Sequence, residues 1–226
     1  MVLYSYNLIL DNFMEQSRQA KYDSLIFDID GTLWDATLAV TESWNETLGK
    51  LEIPRRVTRE EIKSVMGRPL EECVDILLPE IKIPKEKVCE AILENNFSRF
   101  AQEKAVIYPG VKKGIEKLSK NHQLFIVSNC GENYLNIFLD LAGVRPYLTA
   151  SDCYGLSHLP KSEMIGNMKK NYSLRHPVYI GDTTSDLLGA RGAGVDFIHV
   201  TYGFGRISEK VISQNSFSDL VDYLEK

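Results

Sequence analysis

Ser24-Leu25-Ile26-Phe27-Asp28-Ile29-Asp30-Gly31-Thr32 is the stretch from which the fold can be read. A short apolar run ends abruptly at two acids, and a glycine stops it. A continuous apolar run of this length marks a strand buried on both faces, as strands of a parallel sheet are. The pattern returns downstream. Residues 124–127 precede Ser128-Asn129, residues 178–180 precede Gly181-Asp182, and residues 197–200 precede Thr201-Tyr202-Gly203. A less apolar fifth run, 147–150, precedes Ser151-Asp152. Helical periodicity covers 111–120, 134–142, 162–171 and 184–193, the last two opened by Ser162 and Thr184. Strands alternating with helices predict a parallel, Rossmann-like α/β sheet with crossover helices.

Residues 35–105 break that rhythm. Helical patterns cover 38–51, 59–66, 70–77 and 85–101, punctuated by Pro54, Pro69, Pro79 and Pro84, with no convincing strand. Asp-Gly lies before the segment and Tyr108-Pro109-Gly110 after it. The expected organisation is an N-terminal extension over 1–20, an α/β core made of 21–34 and 106–226, and an all-helical domain over 35–105 inserted after the first strand. Linkers near 34–36 and 105–110 are expected to act as hinges.

Bulk properties narrow the function. The 226 residues carry 26 basic and 31 acidic side chains, a formal charge of −5. A nucleic-acid binder that worked by electrostatics would need a basic surface, so no nucleic-acid partner is expected. Apolar runs fall far short of the roughly 18 residues that span a bilayer, and the first residues lack the basic start and cleavage site of a signal peptide. Four cysteines, Cys73, Cys89, Cys130 and Cys153, form no C-x-x-C pair. They read as free thiols in a reducing, cytoplasmic setting.

The chemistry sits at the strand ends. In an open parallel sheet, ligands bind beyond the carboxyl ends of the strands. Those ends here carry Asp28 and Asp30, Ser128 and Asn129, and Asp182 with Asp186 close behind. Carboxylates that converge on one spot call for a cation, and hard oxygen ligands suit Mg²⁺. Mg²⁺ held by carboxylates points in turn to phosphate chemistry. Lys161 opens a helix within topological reach of the same crevice.

Four short motifs in this order resemble the haloacid dehalogenase superfamily, and within it the phosphoglycolate-phosphatase-like branch. They are Asp28-Ile29-Asp30-Gly31-Thr32, the strand 124–127 ending in Ser128-Asn129, Lys161 at a helix start, and Gly181-Asp182-Thr183-Thr184-Ser185-Asp186. The resemblance covers about residues 24–226, and the inserted helices stand where the family's first type of cap stands. Ser162 departs from the proline that often follows the family's lysine.

The resemblance implies a Mg²⁺-dependent phosphatase of small phosphorylated metabolites. Asp28 would attack phosphorus and form an aspartyl-phosphate. Asp30 would protonate the leaving oxygen and later deprotonate water. Dehalogenases of the family lack an acid at that position, so Asp30 favours phosphoryl transfer. Mg²⁺ would be held by Asp28, the Asp30 carbonyl and Asp182, with Asp186 behind them or on a metal-bound water. Ser128, Asn129, Thr32 and Lys161 would hold phosphoryl oxygens, and Lys161 would also balance charge on Asp28. Arg68, in Gly67-Arg68-Pro69-Leu70, and Trp34 are candidates for reading the substrate. Two alternatives stay open: a phosphomutase of the beta-phosphoglucomutase type, and a non-catalytic binding protein of the same fold. The sequence names neither the substrate nor the oligomeric state.

Overall fold

The computed structural model describes residues 21–95 and 97–226. The extension expected over 1–20 lies outside them. β1 (Ser24–Phe27) is fully buried and occupies the middle of a six-stranded parallel sheet. The sheet also contains β4 (Gln123–Ser128), β5 (Ala150–Cys153), β6 (Pro177–Gly181), β7 (Asp196–Val200) and β8 (Ile212–Gln214), in the order β5-β4-β1-β6-β7-β8.

Register explains why the acids meet. Phe27 lies opposite Ile126 of β4 and Ile180 of β6. The three strands therefore end within two residues of one another, which brings Asp28, Ser128 and Asp182 to the same end of the sheet. Alternation along β1 divides the core between two faces. Leu25 and Phe27 face the cluster containing Ile115 of α6 (Val111–Leu118), Phe138 of α7 (Glu132–Ala142) and Leu220 of α11 (Phe217–Leu224). Ile26 faces the cluster of Met164 and Ile165 of α9 (Lys161–Asn171) and Ala190 of α10 (Thr184–Gly192).

Five helices lie between β2 (Trp34–Asp35) and β3 (Val106–Ile107): α1 (Thr37–Lys50), α2 (Arg59–Val65), α3 (Leu70–Leu77), α4 (Lys85–Glu94) and α5 (Phe97–Lys104). They bury a second apolar cluster around Trp44, Leu48, Ile62, Val74 and Val88. Their starts follow local chemistry. Thr58 and Glu61 form a capping box at α2, and Pro69 and Pro84 precede α3 and α4. Among the described residues no helix is long and apolar enough to cross a membrane.

Two expectations change. The single helix expected over 85–101 is two, because Asn95 leaves helical backbone at ψ 146° and its buried amide donates to the Ser43 carbonyl and hydroxyl. The run 147–150 is not a strand. Pro146 sets a short 3₁₀ turn over Arg145–Tyr147, and the strand begins only at Ala150, at the sheet edge where polar Ser151 and Asp152 fit. In the two linkers, Trp34 pairs with Ile107 and Asp35 with Val106 as an antiparallel ribbon. β8, α11 and the short helix α8 (Tyr154–Ser157) were not anticipated.

Candidate active site

Asp28 continues β1 by one residue, its N–H donating to the Ile180 carbonyl at 2.9 Å. The side chain is fully buried. Oδ1 accepts from Lys161 Nζ at 3.1 Å, whereas Oδ2 is buried with no hydrogen-bond donor. Lys161, at the first turn of α9, also donates to Asp186 Oδ1 at 2.6 Å. The Tyr179 hydroxyl donates to the Val127 carbonyl at 2.7 Å and stands 3.5 Å from an oxygen of each acid.

Asp186 owes its position to a helix cap. Its Oδ2 accepts from the Asp182 and Thr183 N–H groups and the Thr183 hydroxyl, while its own N–H donates to Thr183 Oγ1. Both carboxylate oxygens are therefore engaged. Asp182 is gripped from the other side. Its Oδ2 accepts from the Phe204 and Gly205 N–H groups at 2.6 and 3.1 Å, and its Oδ1 is buried without a donor. Gly203 allows this approach, since a Cβ there would overlap Asp182 and the Gly31 carbonyl.

The chain turns sharply after Ile29, whose carbonyl accepts from Thr32, Leu33 and Trp34. Gly31 adopts φ +75°, a region that costs any residue with a Cβ, and it faces the Asp182 carboxylate directly. Asp30 is buried within this turn. Asp30 Oδ1 accepts from Trp34 Nε1 at 3.1 Å and from the Tyr134 hydroxyl at 2.5 Å. The Tyr134 ring stacks on Phe97 of α5 at 4.7 Å between centroids, so the inserted helices touch the residue that holds Asp30.

Burial governs the charges. It pushes Asp28 up to about 6, with Lys161 pulling the other way and Asp186 adding to the rise. Burial and then the neighbouring Asp28 push Asp30 up to about 7, against the bonds from Tyr134 and Trp34. Burial, Asp186 and Asp28 hold Asp182 well above the usual carboxylate range despite its two N–H donors. For Lys161, burial works against the charged form, but the facing Asp186 and Asp28 outweigh it and hold the ammonium above its ordinary value.

These residues fit a divalent cation. Asp28, Asp182 and Asp186 each offer an oxygen within 4.8 Å of the others. Two of these acids, Asp28 and Asp182, each carry a buried oxygen with no hydrogen-bond donor. An all-oxygen, anionic donor set suits Mg²⁺.

The other expected residues surround this centre. Ser128 and Asn129 are buried at the end of β4, and the Asn129 amide donates to the Gly67 carbonyl of the inserted helices at 2.8 Å. Thr32 is buried with its hydroxyl unpartnered. Trp34, expected at the substrate, is instead fully buried, with its indole N–H on Asp30. Arg68 stands at the rim, its side chain half exposed and 3.5 Å from Glu72. Sequence reasoning missed Tyr134 and Tyr179 as parts of the site, since they carried only an apolar-pattern signal. The stretch 201–205 after the last strand reads from sequence as either a neighbour of the site or a structural turn, and its Phe204 and Gly205 N–H groups lie on Asp182.

Among the described residues, cavities open on the centre. One, of about 140 Å³, runs between Asp30, Ser128 and the inserted helices, and its walls are mainly apolar. Another, of about 880 Å³, is a wider groove along Lys161, Thr183 and Arg206.

Residues 25–200 match the family model of haloacid dehalogenase-like hydrolases. The chain is 27% identical over 221 residues to a phosphoglycolate phosphatase of Psychrobacter arcticus, covering 89% of this chain and 95% of that protein. It is also 27% identical over 197 residues to a 5′-nucleotidase of Pseudomonas aeruginosa, covering 84% and 87%. A haloacid dehalogenase-like family hydrolase from Streptococcus pneumoniae superposes with a TM-score of 0.72 at 22% identity, over 90% of this chain and 98% of that one. A predicted phosphoglycolate phosphatase from Haemophilus somnus does so with a TM-score of 0.76 at 19% identity, over 90% and 98%. These two structures share the fold.

Proposed function

The chain belongs to the haloacid dehalogenase-like hydrolase family, and from that premise we propose that it is a Mg²⁺-dependent phosphatase of small phosphorylated metabolites acting in the cytoplasm. The observation that carries this reading is the contrast between two adjacent acids. Asp28 Oδ1 is held by the Lys161 ammonium, whereas Asp30 Oδ1 accepts from the neutral Trp34 Nε1 and Tyr134 hydroxyl, and burial beside Asp28 raises Asp30 toward neutrality.

In the first step an Asp28 oxygen attacks phosphorus and forms the aspartyl-phosphate as the bond to the leaving oxygen breaks. Asp30 gives its proton to that oxygen, so the product departs as an alcohol. In the second step Asp30 takes a proton from water, the water oxygen attacks phosphorus, and Asp28 is released with inorganic phosphate. Lys161 offsets the charge of Asp28 throughout. Ser128, the Asn129 N–H and the unpartnered Thr32 hydroxyl are assigned to the phosphoryl oxygens. Mg²⁺ would be held by Asp28, Asp182 and the Asp30 carbonyl, and would supply charge neutralisation for the phosphoryl group. Asp186 is assigned to holding Lys161 and the 182–183 backbone in place. The proposal includes the division into a core (21–34 and 106–226) and a helical cap (35–105) that closes over the substrate to exclude water.

The test is phosphate release from a panel of phosphorylated metabolites, with Mg²⁺ and with EDTA, beside an Asp28→Asn chain. Turnover should need Mg²⁺ and fall at least about a thousandfold in the variant. Full Mg²⁺-dependent turnover by Asp28→Asn would overturn the proposal. Accumulation of an isomeric sugar phosphate without free phosphate would replace it with a mutase.

A further inference from the structure

We propose that the leaving group of the substrate is an uncharged, apolar alcohol or phenol built around a single benzene-sized ring. The inference rests on the phosphatase reading above for the role of Asp30 and deepens it by naming the substrate class.

Asp30 decides which cavity receives the leaving group. The acid that protonates the leaving oxygen must lie beside it. Asp30 is on the wall of the 140 Å³ cavity, together with Ser128 and Asn129, and it does not border the wider groove. The leaving group therefore points toward the inserted helices, away from Arg206 and Lys63.

The far wall of that cavity is hydrocarbon. Val40, Trp44, Ile62, Val65, Leu93 and Phe97 close it from helices α1, α2, α4 and α5. The Ser43 hydroxyl, which also lies there, accepts from the buried Asn95 amide. A carboxylate entering this space would lose its hydration and need a buried cation in return. Among the described residues on this wall the basic side chain is Arg68, which is half exposed, faces Glu72 and borders the outer groove as well. A ring meets no such penalty. An apolar cavity of about 150 Å³ in another protein holds a benzene molecule, and the volume here is about 140 Å³. Relatives of this chain are named for phosphoglycolate, whose leaving group carries a carboxylate, so the two substrate classes make opposite demands on this wall.

The test is calorimetric titration of the full chain with Mg²⁺, using two phosphonates that cannot be hydrolysed. Benzylphosphonate replaces the ester oxygen of phenyl phosphate by a methylene, and 3-phosphonopropionate does the same for 2-phosphoglycolate. Benzylphosphonate should bind at least tenfold tighter and be displaced by inorganic phosphate. A Leu93→Lys chain, altered at a wall position that is 55% exposed, should narrow that ratio at least fivefold. Equal or reversed affinities, no binding of benzylphosphonate, no displacement by phosphate, or an unchanged ratio in Leu93→Lys would each overturn the inference. Phosphate release from phenyl phosphate is followed in parallel. If the binding order holds but nothing is hydrolysed, the phosphatase reading fails and the pocket assignment stands.

Discussion

On the strand side of the cavity, Asp28, Asp182, Asp186 and Lys161 are all buried and tied to one another or to backbone N–H groups. On the helical side, Val40, Ile62, Val65 and Phe97 present hydrocarbon, and ion pairs on those helices face water, such as Arg99–Glu46 and Lys104–Glu42. The strand side is expensive to build. Each buried charge there is tolerable only with its partners in place, and removing one partner strands another. The helical side rests on burial, which is non-directional and survives exchange of one apolar residue for another. A reaction centre of the first kind resists change, while a selecting wall of the second kind can drift to new leaving groups.

The comparison is broken most severely at Gly31. A methyl group there would overlap the Asp182 carboxylate, and the φ of +75° would add backbone strain. Gly31→Ala should lose roughly 2–5 kcal/mol of stability. Turnover should fall by about a hundredfold, since the metal-facing acid is displaced. Urea unfolding and steady-state kinetics read the two effects. Near-normal values in both would mean that the strand side yields as easily as the helical one.

Cation binding sharpens the same contrast through pH. In the metal-free protein Asp28 and Asp30 are raised to about 6 and 7, whereas the unfolded chain loses those protons near 3.9. Between those values the folded state binds more protons, so these groups contribute less stability as pH rises from about 4 to 7. Mg²⁺ competes with the protons for the acids. Its stabilisation should therefore be small at pH 5 and large at pH 8. A site filled to a hundred times its dissociation constant gains about 2.7 kcal/mol, or roughly 5–10 °C in Tm for a chain of this size. Scanning calorimetry with Mg²⁺ and with EDTA at both pH values measures the difference. An equal Tm shift at both would place the cation away from the raised acids.

The strand side was also the legible one. Apolar runs that stop at Asp28, Ser128 and Asp182 announce a parallel sheet, and parallel register brings their ends together without further information. The rest of the site depends on contacts between residues far apart in sequence. Tyr134 fits a helical apolar pattern, and only the packed fold turns its hydroxyl toward Asp30, 104 residues earlier. The Phe204 and Gly205 N–H groups carry no side-chain signal, yet they grip Asp182. On the helical side, periodicity marked the helices but missed the break at Asn95, which depends on a partner, Ser43, that local pattern does not reveal.

The smallest effect is expected where the helical side meets the ribbon of linkers. Arg59 of α2 donates to Asp35 Oδ2 at 2.8 Å and to the Thr37 hydroxyl at 2.7 Å, bridging β2 to the inserted helices. The geometry is good, but the Arg59 side chain is 49% exposed and that of Asp35 is 23% exposed. Water already solvates the guanidinium, and Asp35 keeps the Thr37 N–H and hydroxyl when the arginine is removed. An exposed pair of this kind is worth about 0–1 kcal/mol and is screened by salt. Arg59→Ala should thus lose less than about 1 kcal/mol in urea unfolding at low salt. The loss should shrink further in 1 M NaCl, and turnover should stay within about twofold of the parent. A loss above 2 kcal/mol that persisted in high salt would show that directional polar contacts anchor the helices as firmly as they anchor the acids, and the contrast between the two sides would fail.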